Sequence, residues 1–155
     1  VDAPATHEVA AICGEHGRPL VFHAGREPRS PAYACDPHEI CGAAMVERLL
    51  RAHPDLRLCI PHLGMDEYLE HRRLLEAYDT LWLDTTMALA GYFPAPPPPP
   101  LATFRPDRVL YGTDFPNVPY AWDRELKRLV ECGLSDRDLA RILGGNALEL
   151  FGAGP

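Results

Sequence analysis

Lysine is almost missing from this chain: Lys127 is the single lysine among fifteen basic residues, and the rest are arginine. The formal net charge is -7 and no basic stripe breaks it, which excludes a nucleic-acid partner held through its phosphates. No apolar run approaches the ~20 residues of a membrane helix. No basic segment leads into an apolar stretch at the start, so no signal peptide is visible. The five cysteines, at 13, 35, 41, 59 and 132, are odd in number and contain no Cys-x-x-Cys pair. That excludes a zinc ribbon or finger and leaves free thiols in a reducing compartment. A cytoplasmic protein without membrane or nucleic-acid partners is expected. Val1 stands where Met would, so a processed or truncated chain is expected too.

Against these absences, three segments stand out. They are Pro19-Leu20-Val21-Phe22-His23-Ala24-Gly25, Leu58-Cys59-Ile60-Pro61-His62-Leu63-Gly64 and Val109-Leu110-Tyr111-Gly112-Thr113-Asp114-Phe115-Pro116. Each is an apolar run of strand length that ends on a potential metal ligand and then turns. A fourth, Leu81-Trp82-Leu83, ends at Asp84-Thr85-Thr86. Strands begin near 20, 57, 81 and 108, close to the roughly 31 residues per strand–helix unit of a (β/α)₈ barrel. Helical patterns fall over 7–16, 39–52, 66–78, 123–131 and 135–143, with a last short turn over 146–151. Ser135 has the chemistry of an N-cap.

The order helix, strand, helix, strand, helix, strand, helix, strand, helix, helix, with a helix between each pair of successive strands, predicts an α/β fold in one domain over 1–155, with parallel strands and right-handed crossovers. Four strands cannot close a barrel, so the pattern fits a small open sheet or the second half of a barrel. Residues 94–100 (PAPPPPP) cannot enter a helix or a central strand. They read as an exposed loop insertion rather than a docking peptide. A flavodoxin-like or receiver-like sheet would carry a phosphate-binding or acidic first loop, and neither is present.

Strand ends of a parallel sheet converge on the face where such folds place their chemistry. Two imidazoles and a carboxylate meeting there suggest a metal-assisted site. Singly, each residue has an ordinary structural use: a packed histidine for His23, a loop hydrogen bond for His62, a turn for Asp114, a helix cap for Asp84. Their recurrence at equivalent positions is what favours the functional reading.

Together with His53-Pro54-Asp55-Leu56-Arg57-Leu58, Leu83-Asp84-Thr85-Thr86 and Ile142-Leu143-Gly144-Gly145-Asn146-Ala147, these segments resemble the amidohydrolase superfamily of metal-dependent TIM barrels. The branch they resemble includes the aminocarboxymuconate semialdehyde decarboxylase-like enzymes. The resemblance implies the C-terminal half of a (β/α)₈ barrel, about four strands. The family's first-strand His-x-His pair occurs nowhere in this chain.

By resemblance, His23 and Asp114 would be metal ligands, at the ends of the fifth and eighth barrel strands. Asp114 would also handle a proton, and His62 would contact or polarise substrate. Asn146 would be a structural helix start. The implied cofactor is a divalent metal, zinc first and manganese second. The implied chemistry is hydrolysis of an amide, ester or lactone by metal-activated water, or non-oxidative decarboxylation or hydration of a small carboxylic acid. A carboxylate on the small-molecule substrate needs a cationic anchor, which Arg26 or Arg29, just past His23, could supply; the alternative is that both are solvated loop arginines. The other reading is a catalytically incomplete chain that needs an N-terminal half. Half a barrel leaves two sheet edges and an apolar flank exposed, so self-association or a homo-oligomer is expected.

Overall fold

The computed structural model describes residues 1–25, 31, 34–92 and 97–152. The elements run α1 (Pro4–Glu15), β1 (Leu20–Val21), α2 (Pro37–Ile40), α3 (Ala43–Ala52), β2 (Leu58–Ile60), α4 (Tyr68–Ala77), β3 (Leu81–Asp84), β4 (Val109–Leu110), α5 (Asp123–Val130), α6 (Asp136–Ala140) and α7 (Asn146–Phe151). The four strands form one parallel sheet in the order β1-β2-β3-β4. Leu20 pairs with Leu58, Leu58 with Leu81, and Leu83 with Val109. This is the α/β half-barrel arrangement expected.

Side chains alternate across a strand, so the register sorts them onto two faces. Leu58, Ile60, Leu81, Leu83 and Val109 point to one face. There they join Val46, Leu49 and Leu50 of α3, Leu74 and Leu75 of α4, and Leu129 of α5 in one buried core. Cys59, Trp82 and Leu110 point to the other face, where Leu150 and Ala147 of α7 pack on them. Near-continuous apolar strands are what a sheet covered on both faces requires. Glu47 of α3 ties α4 down by accepting from Arg73 of that helix (2.9 Å), while pairing with Arg51 within α3 (2.9 Å).

Three expectations are corrected. The pattern over 39–52 is two helices, α2 and α3, because the chain breaks at Cys41 and Gly42 to bond the β1 loop: Gly25 N–H donates to the Cys41 carbonyl at 2.6 Å. Among the described residues no α-helix crosses from β3 to β4. A 3₁₀ turn over Leu101–Thr103 stands there, because Pro97–Pro100 have no N–H to give a helix. The outer edge of β4 is covered rather than open. A π-turn over Arg141–Gly145 runs along it, so that Tyr111 N–H donates to the Ile142 carbonyl (2.9 Å) and Asn146 Nδ2 donates to the Val109 carbonyl (2.7 Å). Asn146 thus begins α7 in the structural role expected.

Ser135 caps α6 by accepting the Asp138 N–H at 3.1 Å. None of the five cysteines, all among the described residues, forms a disulfide. No helix among the described residues is long and apolar enough to cross a membrane. Residues 94–96 of the proline segment lie outside the described residues, as do Arg26 and Arg29.

Candidate active site

The carboxyl ends of β1, β2 and β3 are tied together through backbone that only small or strained residues allow. Gly25, with φ +104°, lies so close to the β2 loop that a Cβ on it would sit 2.1 Å from the Gly64 carbonyl oxygen. The β2 loop is itself left-handed over four residues: His62 (φ 59°), Leu63 (53°), Gly64 (82°) and Met65 (57°). Such a run strains the three non-glycine residues, so the surroundings must hold it. A Cβ on Gly64 would strike the buried His71 ring at 2.2 Å, so that ring is the floor of the loop. His71 Nδ1 donates to the Glu67 carbonyl (3.0 Å), and burial pushes its pKa down to about 4, which keeps the ring neutral.

This strained loop presents His62. Its ring stacks on that of His23, with centroids 4.9 Å apart and planes 27° apart. His62 is buried, whereas His23 at the β1 end is exposed. The Thr86 carbonyl lies 2.7 Å from His62 Nδ1. A carbonyl only accepts, so Nδ1 carries the hydrogen and Nε2 is the basic nitrogen of the neutral ring.

Asp84 completes the cluster from β3, with Oδ1 accepting the backbone N–H of Thr86 (2.9 Å) and of His62 (3.3 Å). The turn form replaces the helix-cap role considered for it, since the chain bends after β3 instead of entering a helix. Burial pushes the Asp84 carboxyl above its ordinary range, against hydrogen bonding by Thr86 and the nearby His62.

The β4 end approaches through Gly112. A Cβ there would lie 2.0 Å from Thr86 Oγ1 and 3.3 Å from Asp84 Oδ1. Gly112 N–H donates to Thr85 Oγ1 at 3.3 Å. Asp114 follows two residues later with φ 58°, its carbonyl accepting the Asn117 N–H (2.7 Å) to close a turn.

A catalytic divalent ion takes three protein ligands and keeps an open position. Among the described residues no group of three or more His, Cys, Asp and Glu is arranged to hold a metal. His23 and Asp114 are therefore not joined by a third described donor, and these residues alone do not fit a complete centre.

The structure thus brings together His23, His62 and Asp84, with Asp114 on the adjoining β4 loop. Sequence reasoning passed over Thr86, His71 and the close approaches at Gly64 and Gly112. The Gly after His62 and the Gly after Tyr111 were the available signals, since a glycine at a strand end marks close backbone approach.

Solved structures with the same fold are TIM barrels and their enzymes. A TIM-barrel protein from Bordetella bronchiseptica aligns with TM-score 0.74 and 22% identity, over 96% of this chain and 50% of that one. The 2,6-dihydroxybenzoate decarboxylase from Rhizobium aligns with TM-score 0.61 and 15% identity, over 97% and 56%. A dihydroxybenzoic acid decarboxylase from Polaromonas sp. JS666, solved with bound manganese, aligns with TM-score 0.60 and 16% identity, over 97% and 54%. The chain therefore spans about half the length of these proteins. No curated protein matches it. The sequence profile described as amidohydrolase matches residues 1–153, and the chain belongs to that family.

Proposed function

We propose that this chain supplies the β1–β4 strand-end groups of a hydrolase that cleaves an amide, ester or lactone in a small molecule. The observation that carries the reading is the fixed tautomer of His62: its Nδ1–H is committed to the Thr86 carbonyl at 2.7 Å, so Nε2 is the ring's proton acceptor. Hydrolysis needs such a base to take a proton from the attacking water. Once protonated, the same nitrogen becomes a donor toward the negative charge that develops on the substrate oxygen.

His23 and Asp114 are the donors this chain would give to a divalent metal, zinc or manganese. The donors still required would come from outside the described residues: from the undescribed segments of this chain, another polypeptide, a second copy or a longer chain. Arg26 would be the anchor for a substrate carboxylate. Self-association would use the β1 side of the sheet, since β4 is already covered and Val21 of β1 is 46% exposed.

Decarboxylation of a small hydroxylated aromatic acid is the second reading. It is favoured by the Asp84 carboxyl, which burial holds toward its protonated form, and by the decarboxylases of similar fold.

One preparation of the native assembly that contains this chain, purified without metal-affinity resin and incubated with zinc or manganese, tests both. Bound metal by elemental analysis should fall in His23→Ala and persist in His62→Ala. Acid release from a lactone and ester panel should fall about 10²-fold or more in His62→Ala, the usual worth of a general base. Metal content indifferent to His23→Ala would overturn the ligand assignment. Carbon dioxide from hydroxybenzoates, with no acid released from the panel, would move the chain to the second reading.

A further inference from the structure

The site described above leaves one buried carboxylate unused. Glu125, on α5, is 0% exposed although every other acidic residue of its helix and of α6 faces solvent at least in part. It sits on α5, whose Leu129 packs into the core, and its hydrogen-bonded partners are on the loop after β3. Its Oε1 accepts the Ala90 N–H at 2.9 Å, and the Leu89 N–H adds to that contact. Its Oε2 is buried with no partner. A carboxylate buried at that desolvation cost is kept where it organises something.

What it organises is the turn after β3. Met87 has φ 57°, which is strained for a side chain with a Cβ. The Ala88 N–H points back at the carbonyls of Thr85 (2.9 Å) and Thr86 (2.7 Å), and the Ala90 N–H reaches the Met87 carbonyl at 3.3 Å. These bonds close the turn locally, and a strained turn persists only when something outside over-determines it. Glu125 is one such outside group, 35 residues along the chain, and the β4 chain holds the start of the turn, where the Leu110 carbonyl accepts the Thr85 N–H (2.9 Å). The Thr86 carbonyl, held by this turn, is the acceptor of His62 Nδ1–H. A hydrogen-bonded route therefore runs from α5 through residues 86–90 to the imidazole of His62.

We propose that Glu125 is a positioning residue: by pinning the 86–90 turn it aims the Thr86 carbonyl that sets the tautomer of His62. The inference rests on His62 being a site residue, but its readout needs no turnover. Burial, with a contribution from Asp84, pushes the Glu125 carboxyl up to about 7, so the acid is partly protonated at neutral pH. Its Oε1 accepts the Ala90 N–H in either form, which makes glutamine a faithful mimic and alanine a true deletion.

The test is nitrogen-15 NMR of the histidine rings, with hydrogen exchange at the Ala90 amide, in the wild type, Glu125→Gln and Glu125→Ala. In the wild type His62 should show the Nδ1–H form, and the Ala90 amide should exchange on the order of 10²-fold slower than an open loop amide. Glu125→Gln should keep both signatures. Glu125→Ala should lose most of the protection and populate the Nε2–H form of His62 alone among the rings. An unchanged His62 tautomer in a folded Glu125→Ala protein would overturn the proposal. Where the alanine variant does not fold, wild-type Ala90 exchanging at the open-loop rate, or Glu125→Gln losing the Nδ1–H form, would overturn it equally. Because no catalysis is measured, a wrong reaction class would leave every one of these outcomes intact.

Discussion

The two faces of the sheet are built on different principles. The face under α3, α4 and α5 carries a single core in which Leu58, Ile60, Leu81, Leu83 and Val109 are each 0% exposed. Among the described residues the buried apolar cluster of the opposite face is Cys59, Trp82, Leu110 and Leu150 with Ala147, and α7 is its cover. Arg57, which precedes β2, and Arg108, which precedes β4, both reach Glu149 of α7, so this cover sits at the amino ends of the strands. The register puts Asp84 on the same thinly covered face as Trp82, at the carboxyl end. Stability is concentrated where the helices pack, and ionisable side chains gather where that packing stops. A barrel has this division too, with strand ends given to chemistry and the helix layer to stability.

The comparison is broken most directly by one truncation made twice. Leu83 and Leu110 lie on neighbouring strands, both buried, on opposite faces. Leu83→Ala leaves a cavity enclosed by α-helices and should cost about 4 kcal/mol. Leu110→Ala opens a thin layer that α7 can sink into, and about 2 kcal/mol is expected, because the cost falls as a site collapses. Urea denaturation of both variants measures the difference. Equal losses would mean that the two faces are packed alike and that α7 is as rigid a cover as three helices.

A second prediction concerns the helix-covered face alone. Two buried groups there shift in opposite directions within the range from pH 4 to 8. His71 drops from 6.5 to about 4, and Glu125 rises from 4.5 to about 7, each chiefly by burial. Between pH 4 and 6.5 the unfolded chain holds a proton on His71 that the folded chain lacks, so this term makes stability rise with pH. Between pH 4.5 and 7 the folded chain keeps the Glu125 proton that the unfolded chain has lost, so this term makes stability fall with pH. Each is at most about 3 kcal/mol, and they largely offset. Removing one exposes the other. Glu125→Gln should gain stability as pH rises from 4 to 6.5, and His71→Gln should lose it from 4.5 to 7. Asp84, also raised, adds to the falling arm in both variants. Midpoints of thermal unfolding across pH 4–8 check this, and parallel curves for the two variants would overturn it.

Much of this division could be read from the residues in order. The apolar runs at Leu58-Cys59-Ile60 and Leu81-Trp82-Leu83 announce strands buried on both sides, and His23, His62 and Asp84 do lie at strand ends. What could not be read depends on partners far apart in the chain. The Thr86 carbonyl meets His62 across 24 residues and Ala90 meets Glu125 across 35, and no local periodicity encodes either. Nor does a pattern show that His62 to Met65 turn left-handed, since three of those residues ordinarily avoid it. The missing helix between β3 and β4 was foreshadowed by the prolines, yet the regular strand–helix rhythm elsewhere outweighed them.

The smallest effect tests what holds α7 on the thin face. Glu149 pairs with Arg108 at 3.2 Å and with Arg141 at 2.8 Å, and is 45% exposed. Ion pairs this wet contribute at most about 1 kcal/mol and weaken with salt. Leu150 beside it is 0% exposed and packs into the Cys59–Trp82–Leu110 layer. Glu149→Ala should therefore cost under ~1 kcal/mol at low salt and almost nothing at 1 M salt. A loss twice that size, persisting in salt, would show that the arginines fix α7. The second face would then be held by charge at its rim, whereas the first is held by apolar burial at its centre.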